Sequence, residues 1–349
     1  MRAAATKRLE ARPGEAEVAT LDAVAAAVRA GLLGPRKHLP PWLFYDARGS
    51  ALFEEITALP EYYLTRTERE ILVREAGAIA AAAGPPLEVV ELGAGSAAKT
   101  DLLLEALLEQ QARVTYLPLD VSPAALTSAR ARLRRLRRVT VRPIVARYPE
   151  GLRLLPPSDG QRRLVVFLGS NIGNYDPPAA RLLLTGVAQG LHPGDALLLG
   201  ADLRKPPRDL LPAYDDAQGV TAQFNKNVLA RLNRELDADF DLDAFRHLAR
   251  WNARRSRIEM HLESMRAQRV PLRALGVEIT FARDERIHTE SSYKLTLVGV
   301  RRLLAAAGFR AEASWTDPRR RFGLTLGRRV PDRDGSGGDL GERLTVERV

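Results

Sequence analysis

From residue 68 onward the chain alternates between two periodicities. Apolar positions three and four apart over 68–83 predict an amphipathic helix, and the short apolar run at 88–92 predicts a buried strand. A helix over 97–109, a strand over 114–119, a helix over 123–136 and a strand over 140–145 follow. Next come a strand over 164–168, a helix near 178–190 and a strand over 196–200. Five strands separated by helices predict a doubly wound parallel sheet. Residues 203–293 break the alternation with a helical run, VTAQFNKNVLARLNREL, and period-two stretches such as SRIEMHLE and VEITFA. The earlier pattern returns with a helix over 297–307 and strands over 310–315 and 322–326. The hairpin-like turn TDPRRR joins those two strands, so one of them is antiparallel.

A mostly parallel seven-stranded α/β sheet finished by one antiparallel strand is the layout of class I, Rossmann-like methyltransferases. On this reading residues 68–202 and 294–328 form the methyltransferase domain. Residues 17–67 and 203–293 form a second, α+β substrate-binding domain inserted before the last strands. The polar stretches 1–16 and 329–349 are expected to be mobile tails.

Composition narrows the chemistry. At 349 residues and 45% hydrophobic content, the chain can bury one large core or two ordinary ones. It has no cysteine, which excludes disulfides, thiolate metal sites and a cysteine nucleophile. Its histidines, His38, His192, His247, His261 and His288, are scattered, none with a second ligand at helical spacing, so no metal is expected. No apolar run approaches a membrane span and the first residues lack the apolar centre of a signal peptide, so a cytoplasmic protein with no membrane partner is expected. Lys plus Arg number 53 against 43 Asp plus Glu, a net charge of +10 that can mark a nucleic-acid binder. The densest basic run, RARLRRLRRV at 130–139, spaces Leu133 and Leu136 three apart and reads as a helix with one buried stripe and a solvated arginine face. No aromatic residue interleaves with it, which argues against a single-strand stacking surface.

The stretch VVELGAGSAAKTDLLLEAL, 89–107, reads as strand, tight turn and helix, a junction that holds a cofactor at the helix N-terminus. The spacing Gly93-x-Gly95-x-x-Ala98 also fits a loose dinucleotide fingerprint. Glu91 separates the two, because a carboxylate there repels a pyrophosphate and attracts an ammonium and a sulfonium. That favours S-adenosylmethionine over NAD. Lys99 is placed to pair with the methionine carboxylate, and Asp120, closing the next strand, to accept both ribose hydroxyls.

The fourth strand ends in FLGSNIGNYDPPAA. Methyltransferases acting on nucleic-acid amino groups carry Asp/Asn-Pro-Pro and an aromatic at about this place. Here Asp176-Pro177-Pro178 is followed by Ala179, so the aromatic that would stack a flipped base is missing. Gly169 and Gly173 bracket Asn171 and Asn174, which offer donors and acceptors without charge close to the backbone. That pattern suits a small amine.

Several long stretches carry a more specific resemblance: PPWLFYDARGSALFEEITALPEYYLTRTEREIL (40–72), VELGAGSAAKT (90–100), FLGSNIGNYDP (167–177), AYDDAQGVTAQFNKNVLARLNRELDADFD (213–241) and HTESSYK (288–294). Together they resemble the histidine Nα-methyltransferase family of ergothioneine biosynthesis, over roughly residues 20–327. The resemblance implies transfer of three methyl groups from S-adenosylmethionine to the α-amine of L-histidine, giving hercynine, by a protein expected to be a monomer. It implies that Gly93, Lys99 and Asp120 bind the methyl donor. Tyr62, Asn174 and Tyr214 would hold the amino and carboxylate end of the substrate, with Gly169 in the adjoining turn. Glu290 and Ser292 would hold the imidazole, with Met260 beside the ring. Tyr45 and Phe53 would wall the amine and methyl group, Tyr45 orienting the amine or receiving its proton through water. Where the family has Gly-Asp-Phe against adenine, this chain has Ala146-Arg147-Tyr148, and an arginine cannot accept from the adenine amino group.

Three other readings stay open at this point. One is a methyltransferase of the same fold acting on another amino acid such as tryptophan. Another is a nucleic-acid-modifying enzyme. The third, raised by Arg147, is a cofactor-binding homologue without activity.

Overall fold

A computed structural model describes residues 15–331 apart from 147 and 159. The chain opens with three helices, α1 (Glu15–Leu32), α2 (Ala47–Ala58) and α3 (Tyr63–Ala83). The alternating region follows as β1 (Leu87–Leu92), α4 (Thr100–Leu108), β2 (Val114–Asp120), α5 (Pro123–Leu133), β3 (Val139–Val141), β4 (Ile144–Val145), α6 (Tyr148–Arg153), β5 (Arg162–Phe167), α7 (Pro177–Gln189) and β6 (Ala196–Asp202). After α8 (Pro207–Leu210) and α9 (Val220–Leu236) come β7 (Phe245–Asn252), β8 (Arg257–Ser264), β9 (Gln268–Leu272), β10 (Val277–Phe281) and β11 (Arg286–Tyr293). The chain returns through α10 (Leu297–Ala306) to β12 (Phe309–Thr316) and β13 (Phe322–Arg329).

The large sheet has the order β12-β13-β6-β5-β1-β2-β3, with β4 pairing β2 beside β3. β13 runs antiparallel to both β6 and β12, while β6, β5, β1, β2 and β3 are parallel. This is the class I methyltransferase sheet. Along β1, Leu87 and Val89 face one core, whereas Val90 and Leu92 face the other. That two-sided burial is why the strand reads as a continuous apolar run.

A third core draws residues from Val24 to Leu64 and from Leu210 to Ile287. It joins α1 and α2 to α9 and to the antiparallel sheet β11-β8-β7. The helix α3 crosses the boundary: Tyr63 and Leu64 belong to this core, and Ile71 onward to the large sheet. It therefore starts before the apolar pattern of the sheet domain does. The helix expected from residue 97 begins instead at Thr100, because Ala97 turns with a φ of 54°.

The terminal boundaries move slightly. α1 begins at Glu15, so two residues assigned to the N-terminal tail are helical, and β13 extends to Arg329, whose N–H bonds Asp195. Val330 is held too, its N–H bonding the Gly308 carbonyl, and residues 1–14 and 332–349 lie outside the described residues. The arginine-rich run is helical only to Leu133, which is buried, while Arg130, Arg132 and Arg134 are exposed; Leu136, expected on the same buried stripe, lies beyond the helix and is half-buried. Among the described residues no helix is long and apolar enough to cross a membrane.

Candidate active site

Two turns lie side by side beyond the carboxyl ends of β1 and β5, where the strand order reverses and open α/β sheets bind ligands. After β1 the chain turns at Gly93 and Gly95, with φ angles of 70° and 51°. At Gly93 the Tyr148 hydroxyl and the Asn171 amide fill the space a side chain would need. Above Gly95 that space is open, so the turn offers bare backbone outward. Asp120 accepts the Gly95 N–H and the Ser122 N–H, each at 2.9 Å. A carboxylate has about four acceptor positions, so a ribose diol still finds partners there. Tyr148 packs edge-on against Phe167 with centroids 5.3 Å apart, beneath the glycine turn. Arg147 lies outside the described residues.

Lys99 is ion-paired with Glu68 of α3, whose side chain is fully buried. The same carboxylate accepts the Gly169 N–H at 2.9 and 3.0 Å. Glu68 thus stitches the entrance of α4 to the turn after β5, and Lys99 keeps donors free for a ligand carboxylate. Gly200 on β6 makes room, since a side chain there would collide with Glu68.

Glu91 does not play the part expected of it. Its carboxylate accepts the Thr100 hydroxyl at 2.6 Å and the Tyr116 hydroxyl, and the residue is buried. Burial pushes it up to about 7. From this buried position it fastens the start of α4 to the sheet.

The second turn, after β5, contains Gly169 at φ 74° and Ser170 at φ 58°. Ser170 Oγ accepts the Asp202 N–H at 2.9 Å, which locks the ends of β5 and β6 together. A short turn, Asn171–Asn174, follows, and Asp176 then caps α7 by accepting the Ala179 N–H at 2.9 Å. The Asp-Pro-Pro sequence is a helix start here, with proline at the first position where its missing N–H costs nothing. Gly173 lets the turn lie directly on β11, because a Cβ there would stand 2.8 Å from the Tyr293 carbonyl oxygen.

On β11 the pairing with β8 shifts between His288 and Glu290, leaving Thr289 as an extra residue. His288 stands opposite His261, and Glu290 opposite Met260. The shift turns Glu290 to the other face of the strand from His288.

These elements line one pocket. Tyr45, Phe53, Tyr62, Gly169, Asn174, Tyr214, Met260, Glu290 and Ser292 all line it, so the structure brings the expected substrate-side residues together. Tyr45 and Tyr62 meet Phe53 edge-on at 5.7 and 6.1 Å. Phe224 of α9 lies 5.8 Å from Tyr45 and 6.0 Å from Phe53, closing an aromatic box. Among the described residues Glu290 is the one charged side chain in the lining. Burial raises its carboxyl to about 7, against the pull of the Lys294 ammonium.

A family model described as histidine-specific methyltransferase, SAM-dependent, matches residues 24–329. The chain belongs to this family. It is 48% identical over 300 residues to the histidine N-alpha-methyltransferase of Mycolicibacterium smegmatis, covering 86% of this chain and 92% of that one. It is 36% identical over 202 residues to ergothioneine biosynthesis protein 1 of Neurospora crassa, covering 57% of this chain and 23% of that one. It is 29% identical over 318 residues to a 4-dimethylallyltryptophan N-methyltransferase of Epichloe festucae var. lolii, covering 85% and 92%. S-adenosylmethionine is the methyl donor of this family.

For a histidine-specific methyltransferase the phenols of the cavity matter by their protonation. Burial first, and then the Glu290 charge, push Tyr45 well above its ordinary value of 10.0. Tyr62 and Tyr214 are raised in the same direction by burial. Tyr45 is therefore a neutral phenol at physiological pH. As such it suits orienting an amine through its hydroxyl.

Residues that the sequence reading passed over complete the site. Ser170, Thr221 and Phe224 line the cavity, beside Asn171, which the glycine turn had already pointed to. His247, read only as one of several scattered histidines, lies 2.8 Å from the Tyr214 carbonyl oxygen through Nε2 and 2.8 Å from the Asn225 amide through Nδ1. With Nε2–H donating to that carbonyl, it fixes the backbone of Tyr214. Lys294, quoted only as the end of HTESSYK, sits directly behind Tyr214 and Ser292.

Proposed function

We propose that the protein moves three methyl groups in succession from S-adenosylmethionine to the α-amine of L-histidine, yielding hercynine for ergothioneine biosynthesis. Membership of the family and the names borne by two relatives support this reading. The observation that carries the substrate is the charge pattern of the cavity, one carboxylate among otherwise uncharged lining residues. A carboxylate on the reacting amine would favour ammonium and suppress attack. Glu290 instead suits the far end of the substrate, accepting an imidazole N–H and rejecting side chains without one.

Gly93, Gly95, Asp120 and Lys99 are the residues that would hold S-adenosylmethionine, which supplies a methyl carbon activated by its sulfonium. Tyr62, Asn174 and Tyr214 would hold the amino-acid end of histidine without adding charge. Tyr45, as a neutral phenol, accepts an amine N–H and so aims the lone pair. Before each attack the ammonium gives one proton to water; the lone pair so freed forms the N–C bond as the C–S bond breaks, its electrons staying on sulfur, and the third transfer, to a tertiary amine with no N–H, leaves the quaternary product. Positioning supplies most of the acceleration in such a displacement. The box of Tyr45, Phe53, Tyr62 and Phe224 suits the charge that grows with methylation, since aromatic faces attract alkylammonium groups.

Arg135 is turned toward Asp101 and Glu105, and Asp176 is used as a helix cap, both of which weigh against a nucleic-acid substrate. Mass spectrometry of the protein with S-adenosylmethionine and a panel of amino acids tests the reading. Stepwise mono-, di- and trimethylhistidine are expected. Mass gain on a different amino acid, or on RNA alone, would replace it.

A further inference from the structure

Lys294 has no exposed side-chain surface. Its ammonium lies 2.7 Å from Tyr214 Oη, 2.9 Å from Ser292 Oγ and 2.7 Å from Asp202 Oδ2. A lysine ammonium has three donors and no acceptor, so each N–H is committed. Tyr214 Oη and Ser292 Oγ are themselves 2.8 Å apart. Asp202 is held in turn by the Tyr63 hydroxyl, at 2.9 and 2.8 Å, and by Lys205. The charged group is thus clamped from behind, at the end of β6, and faces the two hydroxyls from one direction only.

We propose that Lys294, anchored by Asp202, is a positioning residue that fixes the direction of the Tyr214 and Ser292 hydroxyls and so makes the cavity select a ring bearing an unprotonated nitrogen. The proposal rests on the histidine reading given above. Toward Lys294 both oxygens can only accept. The two hydroxyls own two protons, and one of these fills the bond between the oxygens. With Tyr214 giving its proton to Ser292 and keeping a lone pair for the substrate amine, the Ser292 proton has no acceptor among the described residues and turns into the cavity that both residues line. Beside it Glu290 presents an acceptor. The pocket therefore offers one acceptor and one donor to the ring. A neutral imidazole has one N–H and one bare nitrogen, which is the complementary pattern. Without the ammonium, either hydroxyl is free to rotate and meet a C–H or an N–H equally well.

The test is a comparison of ligands. Histidine, pyrrol-2-ylalanine and pyrrol-3-ylalanine are titrated into wild type and Lys294→Met by calorimetry, in the presence of S-adenosylhomocysteine. Each pyrrole keeps one ring N–H and replaces the bare nitrogen by C–H. Wild type is expected to prefer histidine over both pyrroles by at least about tenfold, the cost of facing a buried donor with carbon. In Lys294→Met histidine binding falls by about tenfold or more, the preference collapses toward parity, and S-adenosylhomocysteine affinity stays within about twofold. Equal weakening of all three ligands, with the preference intact, would mean that Lys294 only supports the fold and would overturn the proposal. Asp202 keeps Tyr63 and Lys205 in the variant, so no carboxylate is stranded. Should Lys294→Met still fail to fold, the double variant Lys294→Met with Asp202→Asn gives the same comparison and the same two outcomes. A wild type that neither binds nor methylates histidine would sink the substrate reading itself, a result distinct from a retained preference.

Discussion

Glu290 and Met260 stand opposite one another on neighbouring antiparallel strands, and both face the cavity. The carboxylate is thereby set against a thioether in a pocket lined largely by aromatic groups. Its carboxyl rises from an ordinary 4.5 to about 7 because of burial. Between those values the empty folded protein holds a proton that the unfolded chain has released. The stability this contributes is complete below the unfolded value and is lost as pH rises through about 7.

Glu290→Gln should therefore raise the melting temperature of the ligand-free protein at pH 8, by about 2–4 °C, with most of the gain gone at pH 5. The same substitution should weaken histidine at least about tenfold, while S-adenosylmethionine binds as before. Thermal denaturation at the two pH values and calorimetry with each ligand check this. A melting difference that does not change with pH would contradict the assignment of the buried charge.

Gly173→Ala should separate the two halves of the substrate site. The added methyl would meet the Tyr293 carbonyl at 2.8 Å and push the Asn171–Asn174 turn off β11. Asn174 then loses its register with Glu290 and Ser292. Histidine affinity is expected to fall by about tenfold or more, with the methyl-donor side little altered. Paired titrations of the variant with histidine and with S-adenosylhomocysteine would reveal the asymmetry.

Removing Glu68 leaves Lys99 without its partner and the Gly169 N–H without its acceptor. Glu68→Ala should cost about 2–4 kcal/mol of stability and weaken S-adenosylmethionine. Glu68→Gln, which keeps an acceptor for Gly169, should recover part of the stability. Chemical denaturation of both variants measures the ordering. Equal stability for alanine and glutamine would show that the bond to Gly169 contributes nothing.

Phe224→Leu keeps the cavity apolar and removes one ring of the aromatic box. The box is argued to favour the methylated amine, so KM for Nα,Nα-dimethylhistidine should rise more than KM for histidine, by roughly threefold to tenfold. Steady-state kinetics with the two substrates decide it, and a parallel rise would reduce Phe224 to simple packing.

The sheet was legible because its strands are buried on both faces and its helices on one, which leaves clean apolar runs between amphipathic ones. The carboxyl-end turns were legible for the same reason, since Gly93, Gly95 and Gly169 interrupt those runs where the backbone must take a positive φ. Strict alternation along β11 would place Glu290 on the face of His288, and only the extra Thr289 reverses that. The substrate-side residues were therefore reached through long family-like stretches, not through periodicity. Glu91 misled because a strand-end acid looks alike in sequence whether it faces a ligand or, as here, Thr100 and Tyr116. Glu68, His247 and Lys294 gave no signal, because a buried polar network leaves no periodic mark in the chain that forms it.

The interleaving of the cores sets an order on synthesis. Leu43, Phe44 and Leu52 share a core with Phe224, Phe245 and Phe281, which are translated only after the parallel strands are complete. Until then α1 and α2 leave the ribosome with nothing to cover their apolar faces. The sheet waits as well, since β13, among the last strands made, is the one that fits between β6 and β12. A nascent chain stopped before Phe322 would carry an open strand edge on β6, the kind of edge along which chains pair with one another. This architecture therefore leaves apolar helix faces and an open strand edge on the growing polypeptide until β13 is made, and makes premature termination a route to aggregation in place of a smaller working enzyme.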